Sequence, residues 1–244
     1  MTYCLGIKLK TGLVAVADTR ITSGSETTTA KKVFVHKYGS YPIFIMTSGL
    51  RSVRDKVITY FEEILNETSG FDKMYKAVNA LGQQIKKVAE EDREILMRSG
   101  ISFNIFTIVG GQMANDDSPK LYMLYPEGNW IEIGEGTPFM IIGNSGYGKP
   151  VLQRTINYES SLLFALKTGI LSFDSTRVSA NDVGYPIDVL IFNSENFELT
   201  EHRFYENDLT ELTNYWAEKL KSAVNSIPDN LINKILNKET IKIE

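Results

Sequence analysis

The chain opens with strand-like patterning. Over residues 2–10, TYCLGIKLK, apolar and polar residues alternate and place Tyr3, Leu5, Ile7 and Leu9 on one face. KTG reads as a turn and LVAVAD as a short apolar run suited to a buried strand, so the two make a hairpin. TRITSGSETTTAKK is polar and reads as a loop. KVFVHKY and PIFIMTS are two further strands around a GSYP turn. The period then changes. Val53, Val57, Ile58, Phe61 and Ile64 form one helical stripe; after a TSG break, Met74, Ala77, Val78, Leu81, Ile85 and Val88 form another. Strands return in ISFNIFTIVGG, KLYMLYP, NWIEIG and TPFMIIG. PVLQRTINY and SSLLFALKTGILSF are helical, YPIDVLIFN and ELTEHRFYE are strands, and LTELTNYWAEKLKSAV is a last helix before a Lys/Asn-rich tail.

Blocks of hairpin-connected strands thus alternate with helix pairs. Parallel sheets need strict βαβ alternation, so antiparallel sheets faced by helix layers are expected. No Pro-, Gly- or Ser-rich linker and no repeat divides the chain. A single domain over residues 1–244, with a helical extension from about 208, is expected.

Composition narrows the function classes. The hydrophobic fraction of 43% and charged fraction of 23% are ordinary for a globular chain. A net charge of −4 argues against a general nucleic-acid binder. The one cysteine, Cys4, rules out an internal disulfide and a cysteine-rich zinc site. His36 and His202 lack metal-ligand spacing and read as structural or surface residues. The N-terminus lacks signal-peptide patterning, and no apolar run approaches the ~18 residues of a membrane span. A cytoplasmic protein with no membrane partner is expected.

One motif imitates nucleotide binding. GNSGYGKP, residues 143–150, follows a strand, precedes a helix and has G-x-x-x-x-G-K spacing. Pro150 stands where a Ser or Thr hydroxyl would reach magnesium. Proline suits a first helical turn, so a glycine-rich strand-to-helix turn is the better reading.

Another constellation carries chemistry. Were Met1 removed, Thr2 would hold a hydroxyl and a free α-amine on one residue. Such an amine, with an ordinary pKa near ~7.7–8.0, can accept the hydroxyl proton. Asp18 ends the second strand, near the start of the first. Lys32, with Lys31 as the fallback, opens the next strand. Gly49 lies between a strand and a helix, where its N–H could serve an oxyanion. Each is unremarkable alone; their order within the first fifty residues is what matters.

TGLVAVADTRITSG, KKVFVH and IFIMTSGLRSVRD resemble the N-terminal half of a proteasome β-type subunit. Downstream, GNSGYGKPVL and FDST…VSANDVGYPIDVLIF continue the resemblance, which spans residues 2 to about 193. The immediate Met-Thr and the downstream segments look most like the bacterial Anbu (ancestral β-subunit) group. The resemblance implies an N-terminal nucleophile (Ntn) hydrolase fold, a four-layer αββα sandwich of two antiparallel sheets between helix layers. It also implies cleavage of peptide or other amide bonds, self-association into a multi-subunit ring or ring-like helix, and no cofactor or metal. A ring-forming subunit with little or no peptidase activity is the alternative. Residue by residue, Thr2 would be nucleophile and base, Asp18 and Lys32 the charged partners, and Gly49 the oxyanion donor. Ser145, Asp174 and Ser179 match the accessory residues. Arg20 and Thr22 flank the cleft, Thr22 where a substrate backbone would pair, and Thr47 matches a pocket floor. The stretch from Asp18 to Lys32 is shorter here than in the family.

Overall fold

The first hairpin is buried on both faces, where its alternation predicts one. In the computed structural model, which describes residues 2–23, 26–38, 40–67 and 70–233, every residue of β1 (Tyr3–Leu9) and β2 (Gly12–Asp18) is buried. Two layers cover them. Leu5, Ile7 and Val16 meet Gly169 of helix α4 (Leu162–Ser179) on one side. On the other, Gly6 lies against Leu121 and Ile108 of a second sheet, close enough that a β-carbon would press on both. Lys8 follows Gly6 on that face. It stays charged-partnered because its ammonium donates to Glu132 Oε1 at 3.1 Å and to the Ile133 carbonyl at 3.2 Å.

Two five-stranded antiparallel sheets result. The first has the order β10-β1-β2-β11-β12, with β10 (Phe139–Gly143), β11 (Ile187–Asn193) and β12 (Glu198–Phe204). The second runs β5-β6-β7-β8-β9 through Val33–Tyr38, Tyr41–Gly49, Ile105–Gly111, Lys120–Leu124 and Trp130–Glu132. Between the sheets lie Cys4, Leu13, Ala15, Phe44, Met46 and Leu190, among others. Helices α1 (Arg51–Glu67) and α2 (Met74–Arg98) cover the second sheet with Val53, Val57, Phe61, Val78, Leu81 and Ile85 against Ile43, Ile45 and Val109. Helix α3 (Lys149–Thr155) and α4 lie on the first-sheet side. Each fully buried aliphatic or aromatic side chain contributes about 1.5–3 kcal/mol, so the helix stripes fix which sheet each pair covers.

The polar stretch after Asp18 is a hairpin, not a loop. Strands β3 (Arg20–Ser23) and β4 (Glu26–Thr29) pair antiparallel. Ile21, Thr22, Thr27, Thr28 and Thr29 are β-branched and favour extended backbone. Their polarity reflects exposure, since all four β4 residues face solvent.

The layers belong to a unit reaching Glu206. A second unit begins at Asn207; its described part comprises most of α5 (Glu206–Asn225) and a 3₁₀ turn at Asp229–Leu231. Among the described residues no helix is long and apolar enough to cross a membrane.

Candidate active site

Thr2 stands just ahead of β1 and is held from both sides of the following peptide unit. Its carbonyl accepts from the Asn144 N–H at 2.7 Å. The next amide, Tyr3 N–H, donates to Asp18 Oδ1 at 2.8 Å. Gly143 permits the close approach. It sits opposite Tyr3 in the β1–β10 register, has φ +87°, and a β-carbon there would lie 1.9 Å from the Thr2 carbonyl oxygen. Only glycine fits that backbone and that gap.

The same Asp18 oxygen takes a second bond, from Lys32 Nζ at 2.7 Å, and Lys32 also donates to the Arg20 carbonyl at 2.7 Å. Asp18 is fully buried and Lys32 nearly so. Burial pushes the Asp18 carboxyl above the ordinary carboxylate range; the charge and hydrogen bond of Lys32 and the Tyr3 amide pull the other way. The Gly184 amide also bears on this carboxylate, although Oδ2 has no hydrogen bond of ordinary geometry. Lys31 points elsewhere, half-exposed and paired with Glu201. The neighbouring thiol of Cys4 is buried, and burial pushes its pKa up, so it remains a neutral core group.

A cavity of about 620 Å³ opens on these groups. Thr2, Arg20, Thr22, Lys32, Thr47 and Gly49 all line it. Gly49 ends β6 with φ +129°, and a β-carbon on it would lie 2.3 Å from the Asn104 carbonyl, so the turn into α1 requires glycine. Thr22 is exposed on β3, which among the described strands pairs only with β4. Thr47 is 3% exposed and its hydroxyl has no partner.

Three of the expected site residues lie off this cavity's lining. Ser145 is exposed in the turn after β10. Asp174 is buried on α4 and accepts from Arg177 Nε at 2.9 Å. Ser179 is exposed at the last position of α4. The sequence reading stops this helix near residue 173; it continues six residues further, because Asp174 and Arg177 pair one turn apart along it. The segment that does approach the site follows the helix. The Asn181 carbonyl accepts from Arg20 Nη1 at 2.9 Å, and Gly184 lies so close to the Arg20 guanidinium that a β-carbon would be 2.5 Å from Cζ.

The glycine-rich turn also has a packing explanation. Gly148 faces α4, where a β-carbon would come within 2.4 Å of the Ser172 carbonyl. Its own carbonyl accepts from Ser172 Oγ at 2.8 Å, and Ser172 Oγ accepts from the Tyr3 hydroxyl at 2.7 Å. The turn therefore braces the strand that carries Thr2. His36 is half-buried against Phe61, where burial lowers its pKa, and His202 meets Phe204 edge-on.

Arg51, Arg54, Asn104 and Phe106 also line the cavity, and no motif in the sequence marks them. A signal for the arginines was present. They occupy the first turn of α1, where helix polarity favours acids.

Two antiparallel sheets between helix layers, with the start of an inner strand open to a cleft above a buried acid–lysine pair, define the fold of the Ntn hydrolases. Residues 2–192 match the family described as Proteasome subunit, and the chain belongs to that family. Among solved structures it is similar to Anbu proteins. An Anbu (Gly-1) mutant from Hyphomicrobium sp. strain MC1 is 32% identical, with TM-score 0.85, over 93% of this chain and 98% of that one. Anbu (ancestral beta-subunit) from Yersinia bercovieri is 28% identical, with TM-score 0.84, over 93% of this chain and 98% of its own. A structure described as the helical assembly of the Anbu complex from Pseudomonas aeruginosa is 27% identical, with TM-score 0.85, over 93% of this chain and 97% of that one. No curated protein sequence matches it.

Proposed function

We propose that this proteasome-type Ntn hydrolase cleaves peptide or other amide bonds through an acyl-enzyme on Thr2, once Met1 is absent from the mature chain. The observation that carries the reading is the single buried oxygen, Asp18 Oδ1, that holds both the Tyr3 amide and the Lys32 ammonium beside a cavity lined by Thr2. The α-amine of Thr2 takes the proton from its own Oγ as Oγ attacks the substrate carbonyl. The Gly49 N–H stabilises the oxyanion. The amine then delivers that proton to the leaving nitrogen as the amide bond breaks, leaving an ester on Thr2, and water hydrolyses the ester by the same base. Lys32, held by Asp18, supplies positive charge that favours the neutral amine. Arg20 and Thr22 flank the substrate, with Thr22 on a strand edge suited to an added peptide strand. Ser145, Asp174 and Ser179 take no part in this proposal, being absent from the cavity's lining.

Self-association belongs to the same proposal, supported by the helical assembly described for one relative; light scattering at several concentrations tests it. A cytoplasmic location is checked by cell fractionation. The hydrolase itself is tested by intact mass followed by turnover of an amide panel. A mass lacking methionine, turnover by the wild type and none by Thr2→Ala are expected. Retained Met1 refutes the mechanism. A correctly processed assembly that turns over nothing supports the structural-subunit alternative.

A further inference from the structure

The cavity beside Thr2 is unusually cationic for a chain of net charge −4. Arg20, Arg51 and Arg54 line it together with Lys32, and among its described lining residues there is no carboxylate. The Lys32 charge is matched by Asp18 beneath it. Among the described residues, the Arg51 and Arg54 pair is matched by one acid. Asp55 accepts from Arg54 Nε at 2.8 Å and Nη2 at 2.6 Å, and its other oxygen lies 3.5 Å from Arg51 Nε. Arg20 spends a guanidinium bond on a neutral carbonyl. Among the described residues, the Arg51–Arg54 pair thus carries one more positive charge than the acid it contacts, and Arg20 adds a further cation to the lining.

These arginines are also placed against local preference. Arg51 begins a 17-residue helix that has no acidic residue in its first turn. The partial positive charge at that end adds to theirs, where an acid would be favoured. Arg54 is held with its guanidinium 5.8 Å from the centre of the Phe34 ring, only 11% exposed. A separate observation concerns hydrogen bonding. The buried Thr47 hydroxyl in the same lining has no partner, an unfavourable state that a guest in the cleft would relieve.

We propose that this cleft selects acidic substrates: peptides or amides bearing a carboxylate, as in Asp or Glu, on the acyl side of the bond attacked. Arg54 and Arg51 supply charge-assisted donors, and Thr47 supplies a neutral one. The inference rests on the reading of this cavity as the substrate cleft, but binding tests it without turnover. Two fluorescently labelled peptides that differ only as Glu and Gln at the residue before the intended cleavage point are titrated into intact Thr2→Ala protein. The Glu peptide is expected to bind about tenfold or more tightly at low salt, with the gap closing as salt rises. Arg54→Gln is expected to remove most of that gap, and Arg51→Gln, at an exposed position, part of it while leaving the melting temperature unchanged. Equal binding of Glu and Gln, or tighter binding of Lys or Phe analogues, overturns the proposal. A Glu preference that survives both arginine substitutions also overturns it. The same peptides are then offered to the wild type. A Glu-selective site that hydrolyses neither sinks the hydrolase reading and leaves the acidic specificity standing.

Discussion

Replacing Lys32 by Met is the sharpest probe of the buried charge pair. The substitution keeps the length of the stem and deletes two bonds of 2.7 Å, to Asp18 Oδ1 and to the Arg20 carbonyl. It leaves the Asp18 carboxylate with the Tyr3 amide at 2.8 Å in a site with no solvent access. Breaking a buried pair from one side costs about 3–5 kcal/mol, a large share of the roughly 5–15 kcal/mol that holds a domain folded. The carboxyl can lower that cost by taking a proton. Asp18 already titrates above the ordinary carboxylate range because of burial, and Lys32 opposes that rise, so its folded pKa climbs further in the variant. Between the unfolded pKa of about 3.9 and this raised value, the folded chain keeps a proton that the unfolded chain has lost. Stability therefore falls as pH rises through that window. Urea unfolding of both proteins at fixed concentration, from pH 4.5 to 8, measures the gap. It is expected to be small in mild acid and to widen to about 3–5 kcal/mol at pH 8, or about 1–2 M in midpoint. A gap that does not change with pH would falsify the assignment of Asp18 as a buried group balanced by Lys32. In the Asp18→Asn/Lys32→Met double variant no charge is left stranded, so its loss at pH 8 should be less than the sum of the two single losses.

Gly143→Ala places a β-carbon 1.9 Å from the Thr2 carbonyl; it should cost at least ~2 kcal/mol and abolish turnover, whereas Gly134→Ala, with nothing within 4 Å, should melt like the wild type. Tyr3→Phe removes the 2.7 Å bond to Ser172 Oγ and should cost about 1 kcal/mol by thermal melting, with a larger effect on kcat than on KM if the turn it braces positions Thr2. Lys31→Ala breaks a half-exposed pair with Glu201 and should change stability by no more than ~1 kcal/mol without touching turnover; activity lost here and kept in Lys32→Ala would reverse the two roles. Added nucleotide with magnesium should leave the melting temperature unmoved, and a rise that disappears in Lys149→Ala would contradict the packing account of the glycine-rich turn.

Period and order carried most of the fold. The helical stripes from Val53 to Val88 define the layer on the second sheet, and the apolar runs at 13–17 and 187–192 mark strands of the first. The β3–β4 hairpin was hidden because its threonines are polar by composition and strand-forming by shape. The two-sided burial of β1 was hidden because Cys4, Gly6 and Lys8 imitate a solvent face. Glycine at 6 answers to the opposing sheet, and Lys8 to a glutamate more than a hundred residues away. The site divided along the same line. Thr2 and Asp18 flank the first hairpin and Lys32 stands just ahead of β5, all within the first 32 residues, so local order locates them. Gly143, Gly184 and the Asn181 carbonyl reach the site through tertiary contacts that no spacing records. Asp174 and Ser179 lie on a helix that extends past its apolar stretch, so spacing alone did not show which way they face.

The β3–β4 hairpin closes its own base, with the Ala30 amide donating to the Thr19 carbonyl at 2.8 Å. The Lys32 backbone is then fixed by the next strand pair, its carbonyl accepting from Thr47 N–H at 3.2 Å as Val33 enters its register with Met46. Distance along the chain and distance in space are thereby uncoupled. The exposed strand β4 is for that reason where surface substitutions leave Lys32 in place, whereas a one-residue deletion between Ala30 and Val33 leaves a single lysine to span the gap that the Ala30 and Thr47 bonds set.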